Sequence, residues 1–83
     1  MMKKVLVTGA TGFLGKYVVE ELVEHGYQVR AFGRNSKVGR SLENTSVSFF
    51  QGDLTNADAV TEACKEMDLV VHAGALSTVW GPW

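Results

Sequence analysis

Three glycines, Gly9, Gly12 and Gly15, follow the apolar, β-branched run Val5-Leu6-Val7-Thr8 and precede an amphipathic segment. A strand, a tight turn and a helix in that order direct unpaired backbone N–H groups, and a partial positive charge of about half an electron, toward the turn. That arrangement holds phosphate. Each glycine has its own mechanical reason. Gly9 lets the chain leave the strand sharply, Gly12 lets the backbone approach a pyrophosphate, and Gly15 lets the helix lie close to the sheet. The predicted ligand is a dinucleotide. A triphosphate-binding loop is excluded residue by residue. Gly15-Lys16 would have to close the pattern Gly-x-x-x-x-Gly-Lys-Ser/Thr, yet Ala10 stands at its first glycine and Tyr17 at its metal-binding hydroxyl. Lys16 is therefore read as a solvated helix residue.

The second informative place is the end of the second strand. An NAD site puts an acidic residue there, about twenty residues past the glycines, to hold the ribose 2′-hydroxyl. This chain has Gly33 at that position, followed by Arg34-Asn35. No carboxylate repels a 2′-phosphate, and an arginine grips one with paired donors. NADP is favoured, with NAD as the alternative. Lys37 and Arg40 add to the attraction, and the bland reading of Arg34 is a solvated turn residue. His25 precedes Gly26 at a helix end, where a cationic side chain complements terminal carbonyls. Cys64, the one cysteine of the chain, is expected to be an inert thiol on an apolar helix face.

These residues need a scaffold, and periodicity supplies one. The first strand is expected over residues 3–8 and the first helix over 12–25, with Phe13, Leu14, Tyr17, Val18, Leu22 and also Val19 as its buried stripe. Gly26 ends that helix as its C′ residue. A second strand over 27–32 leads to a polar segment, 35–44, read as a loop with a short, weak helix. A third strand over 47–51 precedes a helix over 56–67, for which Thr55 with Asp58 forms an imperfect capping box. Val60, Ala63, Cys64 and Met67 make its buried stripe, and a fourth strand covers 69–72. Strands alternating with helices imply right-handed crossovers. The expected fold is α/β, a Rossmann-type doubly wound parallel sheet with strand order 3-2-1-4.

Composition sets the outer limits. The chain has 83 residues, 46% of them hydrophobic, and a formal net charge of −1. Balanced charge argues against nucleic acid as a partner, and no apolar run reaches membrane-span length. Met1-Met2-Lys3-Lys4 is basic, but the apolar stretch behind it is too short for a signal peptide and runs into the glycine turn. A cytoplasmic protein is expected.

The octet Thr8-Gly9-Ala10-Thr11-Gly12-Phe13-Leu14-Gly15 closely resembles the cofactor turn of the extended short-chain dehydrogenases. That group contains nucleotide-sugar epimerases and dehydratases and 3β-hydroxysteroid dehydrogenases. The resemblance runs over residues 3–83 and implies cofactor contacts at Gly9, Thr11, Gly12, Phe13, Leu14 and Gly15. Gly52-Asp53-Leu54 is similar to a family segment whose aspartate contacts the adenine edge, which suits a carboxylate facing an exocyclic amine. Leu54 belongs to the same implied contact. Asp53 has a compatible rival role, bonding its own backbone in a turn. Val70-Val71-His72-Ala73-Gly74-Ala75 resembles the family's strand-four ending His-x-Ala-Ala, with Gly74 in place of the first alanine of that pair. This implies that Ala73, Gly74 and Ala75 flank the cofactor crevice and that His72 is structural, packed or bonded to backbone. The tail, residues 76–83, resembles a loop of sterol-dehydrogenase-like members, with Trp80 and Trp83 facing an apolar substrate or simply packing.

The family's chemistry rests on a Tyr-x-x-x-Lys pair, in which the lysine lowers the tyrosine pKa for proton exchange with the substrate. Tyr17 is followed at that spacing by Glu21, and Tyr27 by Ala31, so neither fits; Ser77 is not given the family's serine role. No catalytic residue and no metal site are assigned within residues 1–83. The segment is expected to be an incomplete dinucleotide-binding unit, the N-terminal part of a longer oxidoreductase, epimerase or dehydratase acting on a small carbonyl or alcohol substrate. The alternatives are a non-catalytic module of the same fold that senses NADP(H), and a ligand-free relic. With helices on one face and a single helix on the other, Val5, Val7, Leu69 and Val70 are expected to be partly uncovered. A homodimer through that open side would cover them.

Overall fold

The computed structural model describes residues 3–12 and 14–73. Along them run β1 (Lys4–Thr8), α1 (Gly15–Glu24), β2 (Gln28–Gly33), α2 (Ser36–Leu42), β3 (Val47–Gln51), α3 (Ala57–Cys64) and β4 (Leu69–His72). All strand pairs are parallel, and the sheet order is β3-β2-β1-β4, the predicted one. Alternate side chains of the strands point to opposite faces of the sheet, and helices cover both. Val5, Val7, Val29, Ala31 and Val47 pack with Val19 of α1, while Leu6 and Phe32 pack with Ala63 of α3. Central parallel strands buried on both sides explain why these runs are apolar throughout.

The first helix starts later than periodicity suggested. Leu14 is its N-cap, and Gly15 its first residue. A Cβ on Gly15 would run into the backbone of Ala10, so this glycine is the point of closest approach between helix and turn. The inward stripe is therefore counted from Gly15: Gly15 and Val19 are buried, with Val18, Leu22 and Val23 packed beside them. Tyr17, expected on that stripe, is 66% exposed, because two residues beyond Gly15 the helix has turned its side chain away from the sheet. The far end follows the prediction. Gly26 has φ 89°, its N–H donates to Val23, and the Tyr27 N–H donates to Leu22, both at 3.0 Å. This is a Schellman closure requiring a left-handed residue. His25 Nδ1 lies 2.8 Å from the Glu21 carbonyl oxygen.

The short helix in the polar segment is real. Asn35 caps α2 by accepting from the Val38 N–H at 3.1 Å. The cap of α3 differs from the expectation: Asn56, in extended conformation, accepts from the Ala59 N–H at 3.1 Å. Thr55 stands one residue before the cap position, and its N–H and hydroxyl both donate to Asp53. Asp58 sits in the first turn, where its charge complements the helix dipole. The other end of α3 is held by Arg30 of β2, whose Nη1 donates to the carbonyls of Ala63 at 2.8 Å and Lys65 at 3.2 Å. Cys64 packs half-buried against the α3-side cluster.

Coverage of β1 corrects another expectation. Val5 and Val7 are fully buried, since α1 closes against them and β2 and β4 flank β1 on either side. At the edge, β4 leaves Leu69 46% and Val70 44% exposed, as predicted. No helix of the described residues is long and apolar enough to cross a membrane.

Candidate functional site

The carboxyl ends of β1, β2 and β3 meet at one side of the sheet, and a cleft of about 330 Å³ opens there. Gly9, Thr11, Gly12, Phe32, Gly33, Arg34, Gly52, Asp53 and Leu54 line it. Crevices beyond the strand ends are where open α/β sheets take their ligands. The floor is the glycine turn. Gly9 has φ 71°, a left-handed conformation that lets the chain reverse directly after β1. The Ala10 N–H donates to the Phe32 carbonyl at 3.1 Å, and the Gly12 N–H donates to the Gly9 carbonyl at 3.0 Å, so the turn is tied both to β2 and to itself. Gly12 faces outward. A Cβ there would approach the Gly9 carbonyl oxygen at 3.2 Å, a tight but tolerable contact, so its smallness chiefly serves open access. Leu14, as N-cap of α1, offers no side-chain hydrogen bond to the helix start.

Gly33 ends β2 beneath Thr11. A Cβ at this position would stand 2.5 Å from Thr11 Oγ1 and 2.8 Å from its Cγ2. The space beside Gly33 that a side chain would enter is thus taken by a threonine from the turn. Arg34 follows with its side chain 81% exposed, and its carbonyl accepts from Gln51 Nε2 at 3.3 Å. Across the cleft mouth, Asp53 Oδ1 accepts from the Thr55 N–H and the Thr55 hydroxyl, both at 2.9 Å. Those two bonds hold its carboxyl below the ordinary aspartate range; desolvation opposes them and the Arg34 guanidinium adds to them. Asp53 Oδ2 lies 3.8 Å from Arg34 Nη1. Leu54 is 54% exposed beside it.

The structure brings together Gly9, Thr11, Gly12, Arg34, Asp53 and Leu54 of the residues singled out in the sequence. Others do not line the cleft. Gly15 is buried under α1, Leu14 is the half-buried cap, and Ala73 is 1% exposed in the core beyond β4. Phe13, Gly74 and Ala75, and the tail with its tryptophans, lie outside the described residues. Phe32 lines the cleft without having been singled out, and Gly52 of the Gly52-Asp53-Leu54 segment lines it too, because strand pairing brings the ends of β2 and β3 together. The Gly52 N–H donates to the Gly33 carbonyl at 2.9 Å. His72 is bonded to a side chain rather than to backbone, sharing a 2.7 Å hydrogen bond between its Nδ1 and the Oγ1 of buried Thr8. Register explains it, since Thr8 and His72 are direct partners across β1 and β4. Among the described residues no three His, Cys, Asp or Glu side chains gather as metal ligands.

Sheet order, crossovers and a strand-end cleft over a glycine turn define a Rossmann-type unit. The NAD dependent epimerase/dehydratase family matches residues 5–81, and the chain belongs to that family. It is 39% identical over 74 residues to the decarboxylating sterol-4-alpha-carboxylate 3-dehydrogenase of Dictyostelium discoideum, covering 89% of this chain and 23% of that protein. It is 41% identical over 80 residues to the 2-alkyl-3-oxoalkanoate reductase of Stenotrophomonas maltophilia, covering 96% of this chain and 24% of that one. The crystal structure of Pen from Bacillus thuringiensis superimposes with a TM-score of 0.77 at 29% identity, over 83% of this chain and 24% of the other. The chain thus spans about a quarter of the length of these relatives.

Proposed function

We propose that this chain is the dinucleotide-binding part of a longer oxidoreductase or epimerase/dehydratase, and that NADP is its preferred cofactor. The observation that carries the reading is the meeting of an open glycine turn, Arg34 and Asp53 around one cleft. The residues fit the group. Gly9 and Gly12 leave the turn's backbone bare for a pyrophosphate, and α1 begins there without a side-chain cap. Leu54 offers an apolar wall to a purine, and Asp53 an acceptor for its exocyclic amine. Thr11 takes the space beside Gly33, where an NAD site would carry a carboxylate, and the guanidinium of Arg34, 81% exposed at the cleft mouth, lies within reach of a 2′-phosphate.

Held by this turn and cleft, such a cofactor would supply hydride-transfer chemistry toward a small carbonyl or alcohol substrate. This chain's own residues orient the cofactor and set its specificity. Neither of its tyrosines has a lysine four residues on, so proton exchange with substrate is assigned to residues beyond it. The relatives named above are a dehydrogenase and a reductase, which favours an enzyme over a sensing module. Calorimetric titration of the protein and its Arg34→Ala variant with NADP and NAD tests the reading. The variant should lose about 1.5–3 kcal/mol toward NADP, the scale of a charge-assisted hydrogen bond, and little toward NAD. Equal losses for the two would remove the 2′-phosphate role from Arg34.

A further inference from the structure

The ends of β2 and β3 place opposite charges at the mouth of one cleft. Backbone pairing continues one residue past β3, where the Gly52 N–H donates to the carbonyl of Gly33 at the end of β2, and Gln51 holds the Arg34 carbonyl, so Arg34 and Asp53 emerge side by side. Asp53 divides its two oxygens. Oδ1 is taken by Thr55, while Oδ2 faces Arg34 Nη1 at 3.8 Å. The guanidinium that the proposed function gives to a 2′-phosphate already has an anionic neighbour within the chain.

We infer that Asp53 tempers cofactor specificity: its carboxylate competes with the 2′-phosphate for the Arg34 guanidinium and narrows the preference for NADP over NAD. The inference rests on the cofactor reading above. A phosphate monoester brings nearly two negative charges, and to pair with Arg34 it must share the cation with Asp53 or displace it. The ribose hydroxyl of NAD meets no such competition. Thr55 fixes the Asp53 carboxyl in place, so the competitor does not simply swing aside. Water screens the pair, since the side chains of Arg34 and Asp53 are 81% and 44% exposed. The effect is therefore a few-fold one.

Asp53→Asn is the informative change, because the amide oxygen still accepts from Thr55 while the charge is gone. Affinities for NADP and NAD are measured calorimetrically at low salt for the protein, Asp53→Asn, Arg34→Ala and the double variant. Asp53→Asn should raise the NADP-to-NAD affinity ratio about two- to fivefold, and the rise should vanish when Arg34 is alanine. Asp53→Ser, which also keeps an acceptor for Thr55, should change the ratio in the same direction. A ratio that is unchanged or lowered, or that rises equally without Arg34, overturns the inference while leaving the cofactor reading in place. Failure of the unaltered protein to bind either dinucleotide overturns both.

Discussion

Gly15→Ala adds one methyl group, and the structure makes it the most damaging small change in the glycine turn. The added Cβ would fall on the carbonyl oxygen, carbonyl carbon and Cα of Ala10, closer than real Cβ atoms ever come. These are backbone atoms of a fully buried residue tied to β2 through Phe32, so they cannot give way like the end of a flexible side chain. Relief requires the start of α1 to rise from the sheet by about 1 Å, and a gap of that order forfeits roughly a quarter to a half of the dispersion energy across it. Val19, Val18, Leu22 and Val23 all sit on the face that would lift. Overpacking of this kind costs about 1–3 kcal/mol, and the gain in helix propensity from alanine, at most about 1 kcal/mol in a helix interior, is smaller at a first residue. The expected net destabilisation is about 2 kcal/mol. Urea unfolding followed by circular dichroism measures it. With a slope of about 1–3 kcal/mol per molar, the midpoint should fall by roughly 0.7–2 M at unchanged slope. A variant as stable as the parent would refute the close-approach argument for Gly15.

Gly12→Val separates binding from folding. Among the described residues its first carbon meets the Gly9 carbonyl alone, at 3.2 Å, so the fold should survive while dinucleotide titration shows no heat. Arg30→Met keeps an apolar stem but removes both bonds to the end of α3, and should cost about 1.5–3 kcal/mol in the same unfolding assay. The Asp53 carboxyl, held low by Thr55, should titrate below the ordinary aspartate range by carbon-13 NMR, and Thr55→Ala should move its midpoint upward. A depressed carboxyl contributes stability above its unfolded pKa that is lost as pH falls through its folded one, so the turn should loosen only at strongly acid pH. Thr55→Ala keeps the backbone N–H bond and removes only the hydroxyl, so an unmoved midpoint would mean the hydroxyl contributes nothing to the depression.

Much of this architecture was legible along the chain because its causes are local. Alternation of apolar runs with amphipathic segments set the order of elements, and glycine at positions 9 and 26 marked reversals that only a left-handed residue makes easily. Parallel strands joined by short helices leave few topologies, which is why the sheet order could be read as well. The glycine turn needed no partner from elsewhere to be recognised.

What the tertiary structure decided lies in contacts between residues distant in sequence. Tyr17 faces out because helix phase is set where Gly15 meets Ala10, and Val5 and Val7 are sealed by an element whose position periodicity does not give. Asn56, not Thr55, caps α3 because the helix begins at Ala57, while Thr55 turns its donors to Asp53. The Thr8–His72 bond, the Thr11 contact over Gly33 and the Arg34–Asp53 pair arise from strand register and loop closure. One-dimensional pattern fixes which residues are available and the order of the elements that carry them. Their partners follow only when the sheet is assembled, since pairing at a few ångströms depends on the packing of every element between them.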